Sequence, residues 1–258
     1  MNLGLKGKKV LIAGSSRGIG LAIARGFLNE GAMVAITSRS FEELEAARQT
    51  LAMAFPIDNI LASCCDFSLH ADITCLKNRI MTEWEGLDIV VASAGSGRSV
   101  PDVLPPREHF DLVFNQNFTV AVNVAREFLP ILESSHGSIL FIASIAGIEA
   151  FGAPVDYSVA KSAVLSLSKN IARKIANNGV RVNCLAPGNI WFEGGSWDEK
   201  MKADPERIGR LIEETVPMKR FGKPEEIADA ALFICSERAS FITGAVLCID
   251  GGQSVSLF

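Results

Sequence analysis

Short apolar segments alternate along the chain with longer segments whose apolar residues recur at helical spacing. The apolar segments cover residues 9–13, 33–37, 59–65, 88–93, 138–143, 180–186 and 245–250. Such nearly continuous apolar runs are typical of parallel strands that are buried on both faces. The pattern therefore predicts an α/β fold, with a seven-stranded parallel sheet in a doubly wound arrangement and helices on both of its faces.

Several of the intervening segments carry helix-start signals. Ser40 with Glu43 three residues later matches a capping box. Asp204 followed by Pro205 is typical of an N-cap and a first helical residue. Pro224 stands before two glutamates, which the positive end of a helix dipole favours. These signals predict helices that begin at each of the three places.

The order of the segments predicts one domain over residues 1–258. No repeat, low-complexity tract or Pro/Ser-rich linker divides the chain. Residues 189–217 are the exception to the regular alternation, since they form an insertion after the sixth predicted strand. Long insertions at such strand ends often form lids, so we expect a lid over a site here.

The composition favours a soluble cytoplasmic protein. The chain has 25 basic and 29 acidic residues, a balance that argues against nucleic acid or an anionic membrane as a partner. No stretch approaches about 18 consecutive apolar residues, and the N-terminus lacks the layout of a signal peptide. The six cysteines fall mostly in apolar runs without paired spacing, which predicts free thiols in a reducing compartment.

We expect no metal site. Cys64, Cys65, His70 and Cys75 lie close together in the sequence, but they lack the repeated ligand pair of a zinc site.

A glycine-rich segment, AGSSRGIG at residues 13–20, follows the first predicted strand and opens a predicted helix. Free peptide N–H groups and the helix dipole at such a turn suit a pyrophosphate. A plain turn is the alternative, but the place of this loop after the first strand of an α/β pattern favours a nucleotide. The predicted cofactor contacts in this loop are Gly14, Ser15, Ser16, Arg17, Gly18, Ile19 and Gly20.

The end of the second predicted strand distinguishes between cofactors. Dinucleotide sites that bind a ribose 2′-hydroxyl place a carboxylate there, whereas this chain has Ser38 and Arg39. Arg39 together with Arg17 is suited to hold a 2′-phosphate from two sides. The alternative is that both are ordinary solvated arginines. The predicted cofactor is therefore NADP(H).

Tyr157 and Lys161 lie four residues apart on a predicted helix, so their side chains share one face. Tyr157 is the only tyrosine of the chain. A phenol titrates near ~10 and needs a stabilised anion to act in acid–base catalysis at neutral pH. An ammonium one turn away would lower that pKa, although such a pair also arises by chance.

Taken together, the motifs of the chain resemble those of the short-chain dehydrogenase/reductase family over nearly its whole length. The matching motifs are the glycine loop, CDF at 65–67, SAG at 93–95, FNQNFT around Asn117, Ser144 thirteen residues before Tyr157, the Y-x-x-x-K pair, APG at 186–188 and the closing RFGKPEEIADAALFICSERASFITGAVLCIDGG. The resemblance implies a single Rossmann-type domain that transfers hydride between a nicotinamide and a ketone or alcohol.

The resemblance also implies roles for individual residues. Tyr157 would donate a proton to the substrate carbonyl oxygen, and Lys161 would lower the pKa of Tyr157 and hold the nicotinamide ribose. Ser144 would polarise the carbonyl, and Asn117 would hold a water in the proton relay. Ser144 as a loop residue and Asn117 as a mid-helix hydrogen bonder are the alternatives. Further cofactor contacts are implied for Asp66, Phe67, Ser93, Ala94, Gly95, Pro187, Gly188 and Ile190.

Three places depart from the pattern of the family. Ala92 and Ser93 replace two asparagines, which removes side-chain bracing of the sheet. Phe192 stands where a threonine commonly lies, so one cofactor hydrogen bond is in doubt. Ser135 and Asn178 stand where carrier-protein reductases often have basic residues, which leaves less positive charge for an acidic acyl-carrier partner.

These features predict an NADPH-dependent carbonyl reductase or the reverse alcohol dehydrogenase, with a 3-oxoacyl thioester as the first subtype. A sugar or polyol dehydrogenase is the alternative. Trp191, Phe192 and Trp197 of the lid would cover an apolar substrate, stack on a sugar ring, or simply pack the lid on the core. A non-catalytic NADP-binding sensor or scaffold is a third hypothesis, against which the complete catalytic set argues.

The long segments at residues 114–132 and 159–175 carry apolar residues on more than one face. Extra apolar faces suit contacts between subunits. Together with the family resemblance, they predict a homo-oligomer, either a tetramer or a dimer, with a monomer as the alternative.

Overall fold

The apolar segments form parallel strands in a computed structural model of the chain, which describes residues 2–100 and 102–256. The strands are β1 (Lys9–Ala13), β2 (Met33–Ser38), β3 (Ile60–Cys64), β4 (Ile89–Ala92), β5 (Ser138–Ile142), β6 (Arg181–Pro187) and β7 (Val246–Ile249). They pair in the order β3-β2-β1-β4-β5-β6-β7, and each neighbouring pair is parallel. The predicted seven-stranded parallel sheet is confirmed.

Helices cover both faces of this sheet, as predicted. They are α1 (Gly18–Asn29), α2 (Phe41–Ala52), α3 (His70–Trp84), α4 (Arg107–Phe114), α5 (Val120–Ser135), α6 (Val155–Ile175), α7 (Ser196–Ala203), α8 (Pro205–Thr215) and α9 (Pro224–Cys235). α1, α2 and α9 pack on one face around the fully buried Phe27. α3, α5 and α6 pack on the other face around the fully buried Phe128. Apolar burial on both faces is what makes the strands apolar throughout.

The predicted helix starts at Pro205 and Pro224 are confirmed, since α8 and α9 begin at these residues. Asp204 caps α8, because its Oδ1 accepts a hydrogen bond from the backbone N–H of Arg207 at 3.0 Å. Such a cap satisfies one of the peptide groups that the first turn of a helix leaves without a partner.

Only half of the predicted capping box at Ser40 forms. Ser40 Oγ accepts a hydrogen bond from the N–H of Glu43 at 3.2 Å, which starts α2. The second predicted bond, from the N–H of Ser40 to the Glu43 carboxylate, is wrong, because this N–H donates to Ser38 Oγ at 3.2 Å instead. The Glu43 carboxylate accepts from Ser16 Oγ at 3.1 Å and thereby joins α2 to the glycine loop.

The strand order places a crevice between the carboxyl ends of β1 and β4. The chain winds outward from β1 to β3 and then crosses back to β4 on the other side of β1. Ligands of doubly wound sheets bind at this reversal. The glycine loop follows β1 and the loop from Ser93 follows β4, so both border the crevice.

Candidate active site

At Gly14 and Gly20 the glycine loop has no space for a side chain. Gly14 has φ of +76°, and a Cβ there would lie 2.8 Å from Ala94 Cα. A Cβ on Gly20 would lie 2.0 Å from the carbonyl oxygen of Gly14. Arg17 precedes α1 without capping it through its side chain, and no acidic residue lies in the first turn. The loop therefore leaves a glycine-lined cradle at the N-terminus of a helix, which fits a pyrophosphate.

Ser15 has a structural position inside this loop. Its buried Oγ donates to the carbonyl of Ile12 at 2.9 Å and accepts from the N–H of Thr37 at 2.8 Å. Its own N–H donates to the carbonyl of Thr37 at 2.9 Å. These polar groups brace β1 against β2, and the contact of Ser15 with a cofactor stays a prediction. The neighbouring Ile19 packs against the core.

The two arginines assigned to the 2′-phosphate occupy different surroundings. Arg39 is exposed just beyond β2, where Ser38 ends the strand. Arg17 reaches the lid, where its Nη1 donates to the carbonyl of Gly194 at 3.3 Å. A clamp from two sides therefore requires Arg17 to leave this partner.

Asp66 and Phe67, the predicted contacts of the adenine, follow the end of β3. Burial would raise the pKa of Asp66, but hydrogen bonds from Ser68 and the charge of Arg39 outweigh it and hold that pKa below its ordinary value. Phe67 is buried, and its ring packs in the core. The carbonyl of Phe67 accepts from Asn123 Nδ2 at 2.9 Å.

The loop after β4 runs between the cradle and the reacting groups. Ser93 donates its N–H to the carbonyl of Ala13 at 3.1 Å, which continues the pairing of β4 with β1. A Cβ on Gly95 would lie 2.8 Å from Asn117 Oδ1 and 3.3 Å from Lys161 Nζ. The glycine therefore lets the loop lie directly over two of the predicted catalytic residues.

Tyr157, Lys161 and Ser144 are brought together next to this loop. Lys161 Nζ lies 5.7 Å from the ring centroid of Tyr157, one helical turn away on α6. Nζ also donates to the carbonyl of Ile142, at the end of β5, at 3.0 Å. Ser144 follows β5 and hydrogen-bonds the phenol of Tyr157. Helix α6 supplies Tyr157 and Lys161, and the loop after β5 supplies Ser144.

Burial has the largest effect on the ionisation of Tyr157 and Lys161. Burial raises the pKa of Tyr157, and the hydrogen bond with Ser144 offsets this only in part. Burial thus sets the direction of the shift, and the effect of Lys161 on the pKa of the phenol stays a prediction. Burial in turn lowers the pKa of Lys161 to about 8. The phenol consequently keeps its proton at neutral pH and is available as a proton donor.

Asn117 lies in a π-helical turn, residues 115–119, between α4 and α5. Its Nδ2 donates to the carbonyls of Val113 at 2.9 Å and Ser96 at 3.1 Å, and its Oδ1 accepts from the N–H of Ser96 at 3.2 Å. Both amide hydrogens therefore have backbone partners, and the side chain fixes the loop after β4. π-Helical turns occur frequently at functional sites. The water-holding role of Asn117 stays a prediction.

Pro187, Gly188 and Ile190 border the crevice from β6. Pro187 ends the strand opposite Ile249, and the N–H of Gly188 donates to the carbonyl of Ile249 at 3.0 Å. Ile190 is buried and pairs with Gly222 as an isolated parallel bridge. This segment leads directly into the predicted lid.

A family model described as enoyl-(acyl carrier protein) reductase matches residues 13–254. The chain belongs to the short-chain dehydrogenase/reductase family. The 3-oxoacyl-(acyl-carrier-protein) reductase FabG of Chlamydia trachomatis serovar D is 32% identical over 252 residues, which are 97% of this chain and 98% of that protein.

Two solved structures resemble the fold throughout. L-sorbose reductase from Gluconobacter frateurii, complexed with NADPH and L-sorbose, has a TM-score of 0.92 at 31% identity, over 100% of both chains. A 7α-hydroxysteroid dehydrogenase, complexed with NADH and 7-oxo glycochenodeoxycholic acid, has a TM-score of 0.88 at 28% identity, over 100% of this chain and 98% of that chain. As a family member, this protein is an oxidoreductase of carbonyl or CH–OH groups that uses a nicotinamide cofactor.

This short-chain dehydrogenase/reductase has a buried polar cluster beside Tyr157 that the sequence analysis missed. Asp156 is fully buried, and both of its carboxylate oxygens lie 2.6 Å from Ser99 Oγ. His109 Nε2 lies 3.6 Å from Asp156 Oδ2. The cluster joins the loop after β4 to α4 and α6. In the sequence, the position of Asp156 next to Tyr157 was the one available signal of this cluster. The partners Ser99 and His109 lie far from Asp156 in the sequence, so no local pattern indicates them.

The three lid aromatics of this family member have different surroundings. Trp197 packs against Phe221 with ring centroids 5.5 Å apart, and Lys200 Nζ lies 4.4 Å from the centre of the Trp197 ring. Trp191 is 42% exposed. Phe192 lies over the glycine loop, because a Cβ on Gly18 would come within 2.6 Å of its Cζ. Packing onto the protein thus accounts for Trp197 and Phe192, and Trp191 alone stays open to a ligand.

A salt bridge ties the lid to the loop after β4. Arg98 Nε donates to Glu199 Oε2 at 3.2 Å, and Arg98 Nη2 donates to the second oxygen, Oε1. The Arg98 guanidinium holds the pKa of Glu199 below its ordinary value. The side chains are about half exposed, so water weakens the attraction.

Neither a metal-ligating cluster nor a membrane-spanning helix occurs in residues 2–100 and 102–256. No three His, Cys, Asp or Glu side chains in these ranges come together in a way that suits a metal ion. No helix in the same ranges is long and apolar enough to span a membrane.

Proposed function

We propose that this protein is an NADPH-dependent carbonyl reductase, or the corresponding alcohol dehydrogenase in the reverse direction. The observation that carries the proposal is the placement of Ser144, Tyr157 and Lys161. The phenol of Tyr157 forms a hydrogen bond with Ser144. The centroid of the Tyr157 ring lies 5.7 Å from Lys161 Nζ. The glycine-lined cradle of a dinucleotide site borders the same crevice.

In the direction of reduction, the bound cofactor supplies the hydride. Tyr157 donates its phenolic proton to the carbonyl oxygen as that oxygen becomes a hydroxyl. The raised pKa of Tyr157 keeps this proton in place at neutral pH. Ser144 holds the same oxygen by a hydrogen bond, which orients the carbonyl and stabilises its developing negative charge. Lys161 holds a positive charge below the phenol and limits the cost of its deprotonation.

The cofactor is held, in this proposal, by Gly14, Gly18 and Gly20 at its phosphates and by Gly188 and Ile190 at its nicotinamide. The glycine cradle supports this assignment, because a side chain at Gly14 or Gly20 would collide with the backbone. Ser93, Ala94 and Gly95 line the crevice between these groups, and Asp66 borders its adenosine side.

The position of Arg39 supports a preference of the protein for NADPH over NADH as its cofactor. Arg39 is exposed at the end of β2, where NAD-dependent proteins carry a carboxylate. Arg39→Gln is expected to weaken NADPH binding about tenfold or more and to leave NADH binding within about twofold, since a charged hydrogen bond contributes about 1.5–3 kcal/mol. Arg48→Gln is the matched control, because Arg48 pairs with Glu45 on α2. Equal loss for both cofactors in Arg39→Gln would contradict NADP selectivity.

Two substrate classes have support. The likeness to the FabG of Chlamydia trachomatis supports a 3-oxoacyl thioester. The likeness to L-sorbose reductase supports a keto-sugar, as does the uncharged character of Ser135 and Asn178, where an acidic carrier protein would need positive charge. We take the thioester as the first substrate and the keto-sugar or polyol as the alternative.

Following NADPH oxidation with each substrate in turn separates these possibilities. Turnover of a 3-oxoacyl thioester supports the first subtype, and turnover of the keto-sugar alone supports the alternative. Tight NADPH binding without turnover of any ketone tested would favour the third hypothesis, a sensor or scaffold. Tyr157→Phe serves as the control for chemistry at the proposed site.

The assembly and location are also proposals. Val155 and Val159 on α6 and Leu112 on α4 are each at least 39% exposed, and such a face suits a second copy of the chain. We propose a homotetramer or homodimer, which light scattering of the purified protein tests. The six cysteines are all free, which supports a reducing compartment such as the cytoplasm.

A further inference from the structure

The ring of Phe192 lies directly over the start of α1. A Cβ on Gly18, the first residue of α1, would lie 2.6 Å from Phe192 Cζ and 2.8 Å from Cε1 and Cε2. A Cβ on Gly195, just before α7, would lie 2.9 Å from the same Cζ. Two glycines, one on the glycine loop and one on the lid, therefore leave the space that this ring fills.

A hydrogen bond holds the lid in the same place. Arg17 Nη1 donates to the carbonyl of Gly194 at 3.3 Å, and the N–H of Gly194 donates to Asp198 Oδ2 at 2.9 Å. Asp198 is itself 5% exposed and accepts from Lys202 Nζ at 2.7 Å. The lid segment from Phe192 to Asp198 is thus anchored on the glycine loop by a ring and by a guanidinium.

The start of α1 is also where a dinucleotide's pyrophosphate binds in a doubly wound fold. Gly18 has φ of +54°, and its Cα faces the ring of Phe192 without an intervening side chain. The peptide N–H groups at the start of α1 attract an anion only if it reaches them closely. The ring of Phe192 covers Gly18 on the side where a Cβ would project, so a phosphate that approaches Gly18 from this side meets the ring.

We propose that Phe192 competes with the phosphates of the cofactor for the space above Gly18, and so sets the affinity of this protein for its cofactor. This inference rests on the proposed function, since it assumes that a dinucleotide binds at the glycine loop. Binding then requires the ring, and the start of the lid with it, to move off the loop. The apparent affinity is reduced by the fraction of molecules in which the ring covers the loop.

Removal of the ring therefore tightens binding. If the covered state is favoured about tenfold, Phe192→Thr lowers the NADPH dissociation constant about tenfold. Phe192→Leu is a second variant that keeps an apolar side chain without the planar ring, in case the threonine weakens the fold. Trp191→Leu is the matched control, because it removes the adjacent lid aromatic, which is exposed.

The measurement is NADPH fluorescence during titration of each purified full-length variant, with stopped-flow mixing for the rate. The inference predicts about tenfold tighter binding in both Phe192 variants and a value near wild type in Trp191→Leu. It also predicts that the observed binding rate levels off at high NADPH in the wild type, since the ring must leave first, and that it rises linearly in Phe192→Thr.

The inference would be overturned if the wild type binds NADPH and both Phe192 variants bind it equally well or more weakly. The proposed function would not be affected by this result. Binding by Phe192→Thr where the wild type binds too weakly to measure would support it. If neither the wild type nor either variant binds NADPH or NADH, the proposed function fails and the inference fails with it.

Discussion

Replacement of Lys161 by methionine is expected to stabilise the free protein while it disables the site. Lys161 is 5% exposed, and burial lowers its pKa from an ordinary 10.5 to about 8. That difference corresponds to about 3 kcal/mol against the charged form at pH 7. Methionine leaves the Ile142 carbonyl without the 3.0 Å bond from Nζ, which costs about 1 kcal/mol. The net gain is about 2 kcal/mol, or about 4–8 °C in Tm.

The pH dependence identifies the cause of this gain. Between pH 8 and 10.5 the unfolded chain binds more protons at Lys161 than the folded chain does, so the stability of the wild type rises with pH. The advantage of Lys161→Met is therefore full below pH 8 and falls by about 2 kcal/mol between pH 7 and pH 9.5. Urea denaturation at several pH values measures it in the absence of cofactor.

Lys169→Met is the matched control for this experiment. Lys169 lies on the same helix and also donates to a carbonyl, that of Gly244 at 2.7 Å, but it is exposed. It is expected to show no gain in stability that changes with pH. A Lys161→Met protein less stable than wild type at pH 7, or one whose difference from wild type stays constant with pH, would refute the assigned burial cost.

Gly20→Ala and Ser99→Ala test the packing around the site, and each has a comparison variant. Gly20→Ala is expected to destabilise the fold by about 3 kcal/mol and to abolish NADPH binding, because its Cβ would lie 2.0 Å from the Gly14 oxygen. Gly209→Ala, in open space on α8, is expected to stabilise by up to about 1 kcal/mol, and thermal melts of the pair compare the two. Ser99→Ala is expected to cost about 2 kcal/mol, because it removes the hydroxyl that donates to the buried Asp156 carboxylate. A double-mutant cycle with Asp156→Asn in urea checks this, and strict additivity would contradict a direct interaction.

The sheet was predictable because its strands are buried on both faces. Every predicted strand end lies within one residue of the observed one, as at 59–65 against Ile60–Cys64. A strand buried on both faces needs apolar residues at every position, so the apolar run has the length of the strand. The helix starts at Asp204 and Pro224 were predictable for a local reason, since each depends on residues within one turn.

The site was predictable as a set of residues but not as a set of contacts. Tyr157 and Lys161 depend on the spacing within one helix, which the sequence contains. Ser15 resembles a phosphate ligand in a glycine loop, yet its partners Ile12 and Thr37 lie in the sheet below it. The bond from Arg17 to Gly194 joins residues 177 positions apart, and no local pattern indicates it.

The ionisation of the site depends on burial, which also lies beyond a local pattern. The sequence predicts that the ammonium of Lys161 lowers the pKa of the Tyr157 phenol, but it does not indicate how deeply either group is buried. The surrounding protein favours the neutral form of both, so that the pKa of Tyr157 is raised and the pKa of Lys161 is lowered. In the free protein desolvation therefore has the largest effect on the pKa of each group.

The most direct test of the central claim is to compare Tyr157→Phe with the wild type in both NADPH binding and turnover of the ketone that the wild type reduces. General acid catalysis contributes about 10²–10⁴ in rate, so the variant is expected to lose at least about 100-fold in kcat. Its NADPH dissociation constant is expected to stay within about twofold, because the phenylalanine ring keeps the packing. A variant that retains kcat within a few fold of the wild type would contradict the assignment of Tyr157 as the proton donor.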